Sequence, residues 1–359
     1  MAWVPAPKYI TKKMDTIKYK RLLILIFILA VWNKYASAQQ ASVTPGSVWK
    51  DTDGNFINAH GGGMLYYNNV YYWFGEIKKG KTWLVPNQNW EDYRVPAGGI
   101  SCYSSTDLIN WKNEGVALAP VTGNTTHDLD TGKVIERPKV IYNKKTKKFV
   151  MWMHVDANDY SYSHAGVAVS DRPAGPYQYL GSVQPNGSMS RDMTIFQDAD
   201  GKVYHIFSSE NNATMHICLL TDDYLSHTKT EARIFIDKSR EAPAMFKHNG
   251  HYYLISSACT GWSPNPAMYA TANAPLGPWI ENNNPCSGKD ADSTFHAQST
   301  YILPVQGKKD AFIFMADKWN KTNLEDSRYI WLPLIFREGK PVIPWFDRWN
   351  LRFFIINSK

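Results

Sequence analysis

The sequence contains few cysteines, and their spacing argues against a thiolate metal site. Only four occur among 359 residues, and no two are separated by the short intervals that zinc ligands need. We therefore predict no metal centre and no cofactor. Cys259 and Cys286 are the first pair to test for a disulfide, and buried free thiols are an interpretation at least as good.

The sequence also lacks an apolar run long enough to span a membrane. The run at 22–32, LLILIFILAVW, falls short of the roughly 20 residues that a spanning helix needs. Basic residues at 18–21 precede it and small residues at 36–38 follow it, which is the order of a secretory signal peptide. We predict a signal peptide at 1–38, export to the periplasm or the medium, and no stable membrane span after cleavage. An uncleaved membrane anchor is the alternative.

Little net charge remains once this leader is set aside. Residues 1–38 contain seven basic residues and one acidic residue, and so carry +6 of the formal net charge of +7. The remaining chain is close to neutral and lacks the strongly basic surface that binds a phosphate backbone. No nucleic-acid partner is predicted.

No segment shows a sustained helical period, which argues against alternating strands and helices. Aromatic residues are plentiful instead: they make up 14% of the chain, with 14 Trp and 21 Tyr. Amphipathic rings suit the faces of sugars, although most of them are expected to pack a β core.

One segment, REAPAMFKHNGHYYLISS at 240–257, shows the plan of a repeated unit. Asn249-Gly250 separates two apolar or aromatic runs and tolerates the positive φ of a tight hairpin turn, which predicts paired strands at 244–247 and 251–255. Glu241 lies just before the first strand. We call a residue in this place the head residue of its unit.

The same plan occurs five times. The head residues are His60, Glu136, Arg191-Asp192, Arg240-Glu241 and Ala297-Gln298. Five multi-stranded units predict an all-β fold, a five-bladed β-propeller that forms a single domain over 39–359. The turns DRPAGPY at 171–177 and NAPLGPW at 273–279 fall at equivalent places. If each first strand is innermost, the head residues line one central cavity.

Three of these head residues are carboxylates. Hydrolysis of a glycosidic bond needs a carboxylic acid to protonate the leaving oxygen and a second carboxylate on the other side of the sugar. Glu136, Asp192 and Glu241 are the candidates. The alternative for Asp192 and Glu241 is a plain ion pair with the arginine that precedes each.

The repeats, the segment RDMTIFQDADG with Asp192 and the segment REAPAMF with Glu241 resemble glycoside hydrolase family 43, from about residue 58 onward. By that resemblance, Glu241 is the general acid and Asp192 modulates its pKa. The family's base is an aspartate on the first blade. The segment INAHGGGMLYY around His60 has no carboxylate at that place.

This departure, together with IERPKVIYN around Glu136 and HAQSTYILP around Gln298, is similar to the exo-β-1,3-galactanases of that family. The resemblance implies that Gln298 and Glu136 hold the attacking water or the sugar. A substrate-binding amide at Gln298, with the water held mainly by Glu136, is the alternative.

Further residues are candidates for contacts with the sugar, because they lie at strand ends or on loops that can reach a cavity. They are His60, Glu76, Tyr160, Glu210, Asn212, Thr260 and Trp262. Glu76 is alternatively a solvated strand end and Trp262 a packed loop residue. His60 is alternatively a ligand of a cation or water, although one histidine does not make a metal site.

Together these features predict a secreted glycoside hydrolase that releases terminal galactose from β-1,3-galactan, the backbone of type II arabinogalactan, with inversion. The substrate partner is then a plant-type galactan or arabinogalactan oligosaccharide. One alternative is an α-L-arabinofuranosidase or β-xylosidase of the same family. The other is a sugar-binding propeller without catalysis.

Overall fold

The computed structural model describes residues 1–3, 5, 42–86 and 88–356. The chain divides into two units, Met1–Ser42 and Val43–Lys359. The predicted signal peptide lies almost wholly outside the described residues and stays a prediction. Within the described part of the chain, no helix has the length and apolar character needed to cross a membrane.

The first two sheets follow one another directly along the chain. In the first, β1 (His60–Tyr67) and β2 (Val70–Lys78) are followed by a separate hairpin of β3 (Trp83–Leu84) and β4 (Tyr93–Arg94), and then by β5 (Ala97–Ser105) and β6 (Lys112–Leu118). The second contains β7 (Val134–Asn143), β8 (Lys148–Asp156), β9 (His164–Ser170) and β10 (Gln178–Val183).

Three more sheets complete the set. The third contains β11 (Met193–Gln197), β12 (Val203–Ser209), β13 (Thr214–Leu220) and β14 (His227–Ile234). The fourth contains β15 (Arg240–His248), β16 (His251–Ala258), β17 (Met268–Ala272) and β18 (Ile280–Glu281). The fifth contains β19 (Cys286–Ser287), β20 (Gln298–Pro304), β21 (Phe312–Lys318), β22 (Arg328–Arg337) and β23 (Lys340–Pro344).

Helical segments are short. Among the described residues, three 3₁₀ helices span Pro185–Gly187, Ala291–His296 and Leu324–Asp326, and one α-helix, α1, spans Phe353–Ile356.

The first strands of the five sheets form a closed ring. Strands β1, β7, β11, β15 and β20 each contact the first strands of the two neighbouring sheets, and β20 returns to β1. Each sheet is therefore a blade that runs outward from a common axis, and the predicted five-bladed β-propeller is confirmed.

The hairpin predicted around Asn249-Gly250 is also confirmed. Strands β15 and β16 pair antiparallel, and Asn249 and Gly250 have φ of 48° and 83°. Glu241 is the second residue of β15 and faces Ser257, so it lies inside the strand and not before it as predicted. Two further residue pairs, Arg240 with Ala258 and Glu241 with Ser257, lie beyond the predicted apolar run. Backbone hydrogen bonds hold these pairs, and a pattern of side chains does not predict such bonds.

A shared backbone bulge follows the head residue in three blades. Gly61, Arg137 and Ala242 have φ of 59°, 57° and 55°, and the strand register shifts immediately after each. A bulge changes the direction of the neighbouring side chains. It gives the head residues of these blades a common geometry at one end of the ring.

The two matched turns of the sequence have matching structures. Both Gly175-Pro176 and Gly277-Pro278 are cis peptide bonds. The ring that follows each proline donates a hydrogen bond back to the turn: Tyr177 Oη to the Pro173 carbonyl at 2.9 Å, and Trp279 Nε1 to the Pro275 carbonyl at 3.2 Å. These blades therefore share their outer turns as well as their inner strands.

Blades one and five are joined by a cluster of aromatic rings. Trp73 of β2 lies 4.7 Å from Trp331 of β22, 5.4 Å from Trp111 and 6.2 Å from Trp49, between ring centroids. Both Trp73 and Trp331 are only 1% exposed. Because the ring closes between these two blades, this cluster holds the first and last units of the propeller together.

We expect Trp73→Ala to lower the free energy of unfolding by about 3–5 kcal/mol, because it removes a large buried ring and leaves a cavity. Urea denaturation followed by fluorescence measures the change. Val116→Ala, at a half-exposed position on β6, is the control and should shift stability by no more than about 0.5 kcal/mol. Equal effects of the two substitutions would contradict the role of the cluster.

Candidate active site

A cavity of about 560 Å³ lies at the end of the ring where the head residues are. Glu136, Asp192, Glu241 and Gln298 all line it, although they come from four different blades. The predicted convergence of head residues from blades two to five is therefore confirmed. The roles of these residues follow from their contacts.

Arg137 is the residue that connects three blades within this cavity. Its Nη2 lies 2.8 Å from Asp192 Oδ2, and its Nε donates to Asp192 Oδ1 at 3.1 Å. The same guanidinium donates to Gln298 Oε1 at 2.5 Å and to the Ser299 carbonyl at 2.9 Å. The residue is 5% exposed. Asp192 is thus not paired with Arg191, as one alternative had it, but with an arginine of the neighbouring blade.

Gln298 has partners at both ends of its side-chain amide. Its Oε1 accepts from Arg137 and, at 3.2 Å, from Trp319 Nε1. Its Nε2 donates to Glu241 Oε1 at 2.9 Å and to Ser257 Oγ at 3.1 Å. Because the N–H groups of Arg137 and Trp319 both donate to this end of the side chain, it must be the carbonyl oxygen of the amide. The NH₂ group must therefore face Glu241.

Glu241 has the properties of a carboxylic acid that keeps its proton near neutral pH. Burial and the nearby Asp192 carboxylate raise its pKa to about 8, against the opposing effect of Arg137. Asn212 Nδ2 donates to its Oε2 at 3.3 Å. Arg240, the alternative ion-pair partner, donates instead to Ser256. A group that is protonated at pH 7 in a cavity is a candidate general acid.

The pKa of Glu136 is shifted in the opposite direction, below its usual range. The Tyr160 hydroxyl lies 3.3 Å from each of its oxygens, Lys78 Nζ lies 3.6 Å from Oε1, and His154 Nδ1 lies 3.5 Å from Oε2. Burial alone would raise the pKa of Glu136, but Lys78, His154 and Arg94 lower it below its usual range. Glu136 is therefore an ionised carboxylate near neutral pH.

The atoms of Glu136, His154 and Asp192 lie close enough together to suggest a metal site, within 4.8 Å of one another. Their surroundings do not fit one. Although burial lowers the pKa of His154, Asp156 and Glu136 raise it to about 9, so the imidazole is a cation at pH 7. Asp192 is occupied by Arg137. A metal site needs a neutral imidazole and carboxylates that are free to bind the ion, and His154 and Asp192 do not meet these requirements.

Glu76 is not the solvated strand end of the alternative interpretation. It is 3% exposed, it lines the cavity, and its Oε2 lies 2.6 Å from Lys78 Nζ. Burial raises the pKa of Glu76, while Lys78 opposes the shift. Lys78 also approaches Glu136, so one ammonium serves two carboxylates from blades one and two.

Three of the predicted sugar contacts lie outside the lining of the cavity. His60 is 1% exposed, and its Nδ1 lies 2.9 Å from Asp317 Oδ1 of blade five. Glu210 turns outward to a bidentate pair with Arg233, both bonds at 2.8 Å. Thr260 donates to the backbone carbonyl of Ser263. These three residues do not line the cavity, whereas Tyr160, Asn212 and Trp262 do.

Sequence reasoning missed several residues of this cavity. Arg137 follows Glu136 directly, Lys78 is the last residue of β2, and Trp319 directly follows β21. Trp90 reaches the cavity from the loop between β3 and β4. A search at the ends of second strands would have found Lys78 and Trp319, but nothing in the periodicity marks the loop that carries Trp90.

Cys259 and Cys286, the first pair to test for a disulfide, are not bonded to each other, and the free-thiol interpretation is right. All four cysteines are free. Cys259 lines the cavity near Glu241, whereas Cys286 belongs to β19 in blade five. Burial and Glu241 raise the pKa of the Cys259 thiol, so it is neutral.

Comparisons with known proteins agree with this geometry. Residues 64–318 match the model of glycosyl hydrolases family 43. A solved family 43 β-1,3-galactosidase with galactodeoxynojirimycin is 47% identical, covers 86% of this chain and 100% of its own, and has a TM-score of 0.80. An exo-β-1,3-galactanase from Phanerochaete chrysosporium with β-1,3-galactotriose is 37% identical over 87% of this chain and 68% of its own, with a TM-score of 0.78. A β-D-galactofuranosidase of Aspergillus niger is 24% identical over 273 residues, which are 73% of this chain and 78% of that protein.

We expect two substitutions to shift the pKa of Glu241 in opposite directions from about 8. Asp192→Asn removes a negative charge that raises this pKa, so the value should fall. Arg137→Met removes a positive charge that lowers it, so the value should rise. Carbon-13 NMR titration of labelled glutamate side chains measures both shifts. Glu210, held by Arg233 and His216, is the internal control and should not move. Shifts of the same sign in both variants would contradict this account.

Proposed function

The chain belongs to glycosyl hydrolases family 43, and we propose that it removes terminal galactose from β-1,3-galactan, the backbone of type II arabinogalactan. The observation that carries the proposal is Glu241, a protonated acid bonded to Gln298 in a cavity that also contains an ionised carboxylate, Glu136. Solved relatives named β-1,3-galactosidase and exo-β-1,3-galactanase support the substrate.

Glu241 is the general acid in this proposal. Its raised pKa keeps the proton available for the leaving glycosidic oxygen at neutral pH. Asp192 contributes from a distance, because its charge raises that pKa while Arg137 holds it in place. Gln298 then positions the acid, since both ends of its amide are already bonded.

Glu136 binds and stabilises the sugar. Its ionised carboxylate accepts hydrogen bonds from ring hydroxyls and offsets positive charge that develops at the anomeric carbon. Tyr160 donates a hydrogen bond to this carboxylate, and the ammonium of Lys78 lies 3.6 Å from it. Together they hold Glu136 in one orientation. Trp90, Trp262 and Trp319 also line the cavity, which suits the apolar face of galactose.

Lys139 ties the inner strands of blades one and two together. It is 2% exposed, and its Nζ donates to the carbonyls of Gly61 at 2.9 Å and Arg137 at 3.3 Å.

The two alternatives have less support. A sugar-binding protein without catalysis has no need of a carboxylic acid that keeps its proton at pH 7, and family membership makes the chain a glycoside hydrolase. The other alternative is an arabinofuranosidase or xylosidase. It has less support because the two solved relatives reported above are named β-1,3-galactosidase and exo-β-1,3-galactanase.

We expect Glu241→Gln to lower galactose release from β-1,3-galactan by about 10²–10⁴-fold, because the leaving sugar then departs without a proton. The loss should be much smaller on 2,4-dinitrophenyl β-galactoside, whose leaving group needs no proton. Product release is followed by chromatography and absorbance. An equal loss on both substrates would contradict the role of acid, and wild-type release of arabinose or xylose in place of galactose would contradict the proposed substrate.

We also propose that the chain is exported to the periplasm or the medium. The support is the order of basic, apolar and small residues before position 39. Amino-terminal sequencing of the protein from its natural host should find a start directly after Ala38. A mature chain that retains the apolar run at 22–32 would contradict this.

A further inference from the structure

One element beside the cavity does not belong to the five-fold repeat. Strands β3 and β4 form a hairpin that blade one inserts between its second and third strands, β2 and β5. The ladder of this hairpin pairs Trp83 with Arg94 and Leu84 with Tyr93. A ladder of two residue pairs does not stabilise a hairpin by itself. The position of the hairpin must therefore be set by its contacts with the rest of the protein.

The hairpin contacts two blades other than its own at its base and its tip. At the base, the Leu324 amide of blade five donates to Thr82 Oγ1 at 2.9 Å. At the tip, a β-carbon on Gly261, in the loop after β16 of blade four, would lie 3.6 Å from the ring of Trp90. The hairpin therefore extends from blade one to contacts on blades four and five.

Arg94 makes the contact of the hairpin with blade two. Its guanidinium lies over the Tyr160 ring, 4.2 Å from the centroid, and the residue is buried. Arg94 Nη2 lies 2.6 Å from Oδ1 of Asp92, which is also fully buried. A cation that is removed from water is strongly attracted to the face of an aromatic ring. The pair with Asp92 keeps the guanidinium in that place.

Two other cations lie near the Tyr160 ring, and both are farther from it. Arg191 Cζ lies 5.8 Å from the ring centroid, and its Nη2 donates to the Tyr160 carbonyl at 3.1 Å. The centroid of the His154 ring also lies 5.8 Å away, and its Nε2 lies 2.9 Å from Asp156. Arg94 is therefore the cation that holds the ring most closely.

The orientation of the Tyr160 ring matters because its hydroxyl lies 3.3 Å from each oxygen of Glu136. Tyr160 belongs to the loop between β8 and β9 and has a φ of 59°, which is unfavourable for a residue with a large side chain. Contacts of the ring must offset that cost. The closest cation contact is with Arg94, whose side chain does not itself line the cavity.

We propose that Arg94 is a positioning residue for the reaction: it holds the Tyr160 ring so that the hydroxyl keeps the Glu136 carboxylate directed at the bound sugar. The proposal rests on the galactosidase function proposed above. Arg94 acts through Tyr160 and does not touch the sugar. The inserted hairpin is thereby a part of the active site, although it lies outside the repeat that supplies the head residues.

The test compares Arg94→Met with Arg94→Lys. Both substitutions introduce an unbranched side chain of similar length, and only lysine keeps the positive charge. With β-1,3-galactobiose, Arg94→Met should lower kcat by about 10–30-fold, the size of a desolvated cation–π contact. Arg94→Lys should keep kcat within about threefold of the wild type, because the cation over the ring remains. If Arg94→Met does not fold, Asp92→Asn is added to it, since that removes the buried charge left without a partner.

Tyr160→Phe provides the second measurement, because it keeps the ring and removes the hydroxyl. In that background, Arg94→Met should lower kcat by no more than about twofold, since the group that Arg94 positions is already absent. A residue that only anchors the hairpin would cost the same in both backgrounds. The two single variants and the double variant together form a double-mutant cycle.

Three results would overturn the proposal: a loss in kcat of less than about fivefold for folded Arg94→Met, an equal loss for Arg94→Lys, or an undiminished loss in the Tyr160→Phe background. Release of galactose from β-1,3-galactan by the wild type is measured alongside. Its absence would refute the proposed function itself. Normal wild-type release together with any of the three results would refute the role of Arg94 alone.

Discussion

The buried guanidinium of Arg137 is the interaction on which the rest of the cavity depends. It starts from blade two, pairs with Asp192 of blade three, and bonds Gln298 and the Ser299 carbonyl of blade five. A buried cation is costly unless it is paired and fully hydrogen-bonded, so these partners must keep their places. Because Arg137 fixes the carbonyl end of Gln298, the other end of that amide must face Glu241. One side chain of blade two thereby sets the surroundings of an acid in blade four.

The charges around the cavity divide its carboxylates into two kinds. Cations gather around Glu136, where Lys78, His154 and Arg94 keep it ionised. Near Glu241 burial and Asp192 prevail over Arg137, and the proton stays. Different environments for similar groups are how one cavity obtains both an acid and a stabilising anion at a single pH. Arg94, which lies 4.2 Å above the Tyr160 ring, adds to this division because that ring's hydroxyl faces Glu136.

The fold was predictable from the sequence because the repeat is carried by inner strands whose apolar and aromatic runs are long and alternating. The head residues of blades two to five were predictable for the same reason, since they sit at a fixed place relative to those strands. The candidates at Glu210 and Thr260 depended on loops, and loop paths follow local partners such as Arg233 and the Ser263 carbonyl. Periodicity contains no information about such partners. The same holds for Arg137, whose reach across three blades depends on a left-handed backbone that the sequence pattern did not indicate.

Blade one shows why a missing motif residue is weak ground for inferring a missing function. The glycines after His60 first suggest a site that has lost its aspartate. In the structure they make room: Gly61 for the Glu76 carboxyl, and Gly63 for the stem of Lys139, which a β-carbon there would meet at 2.5 Å. A pattern that follows one strand cannot register a carboxylate supplied from the strand beside it. The facing pair across a β-ladder is the physical unit that places side chains at one level, so either strand of a blade can supply a carboxylate at the level of the head residues.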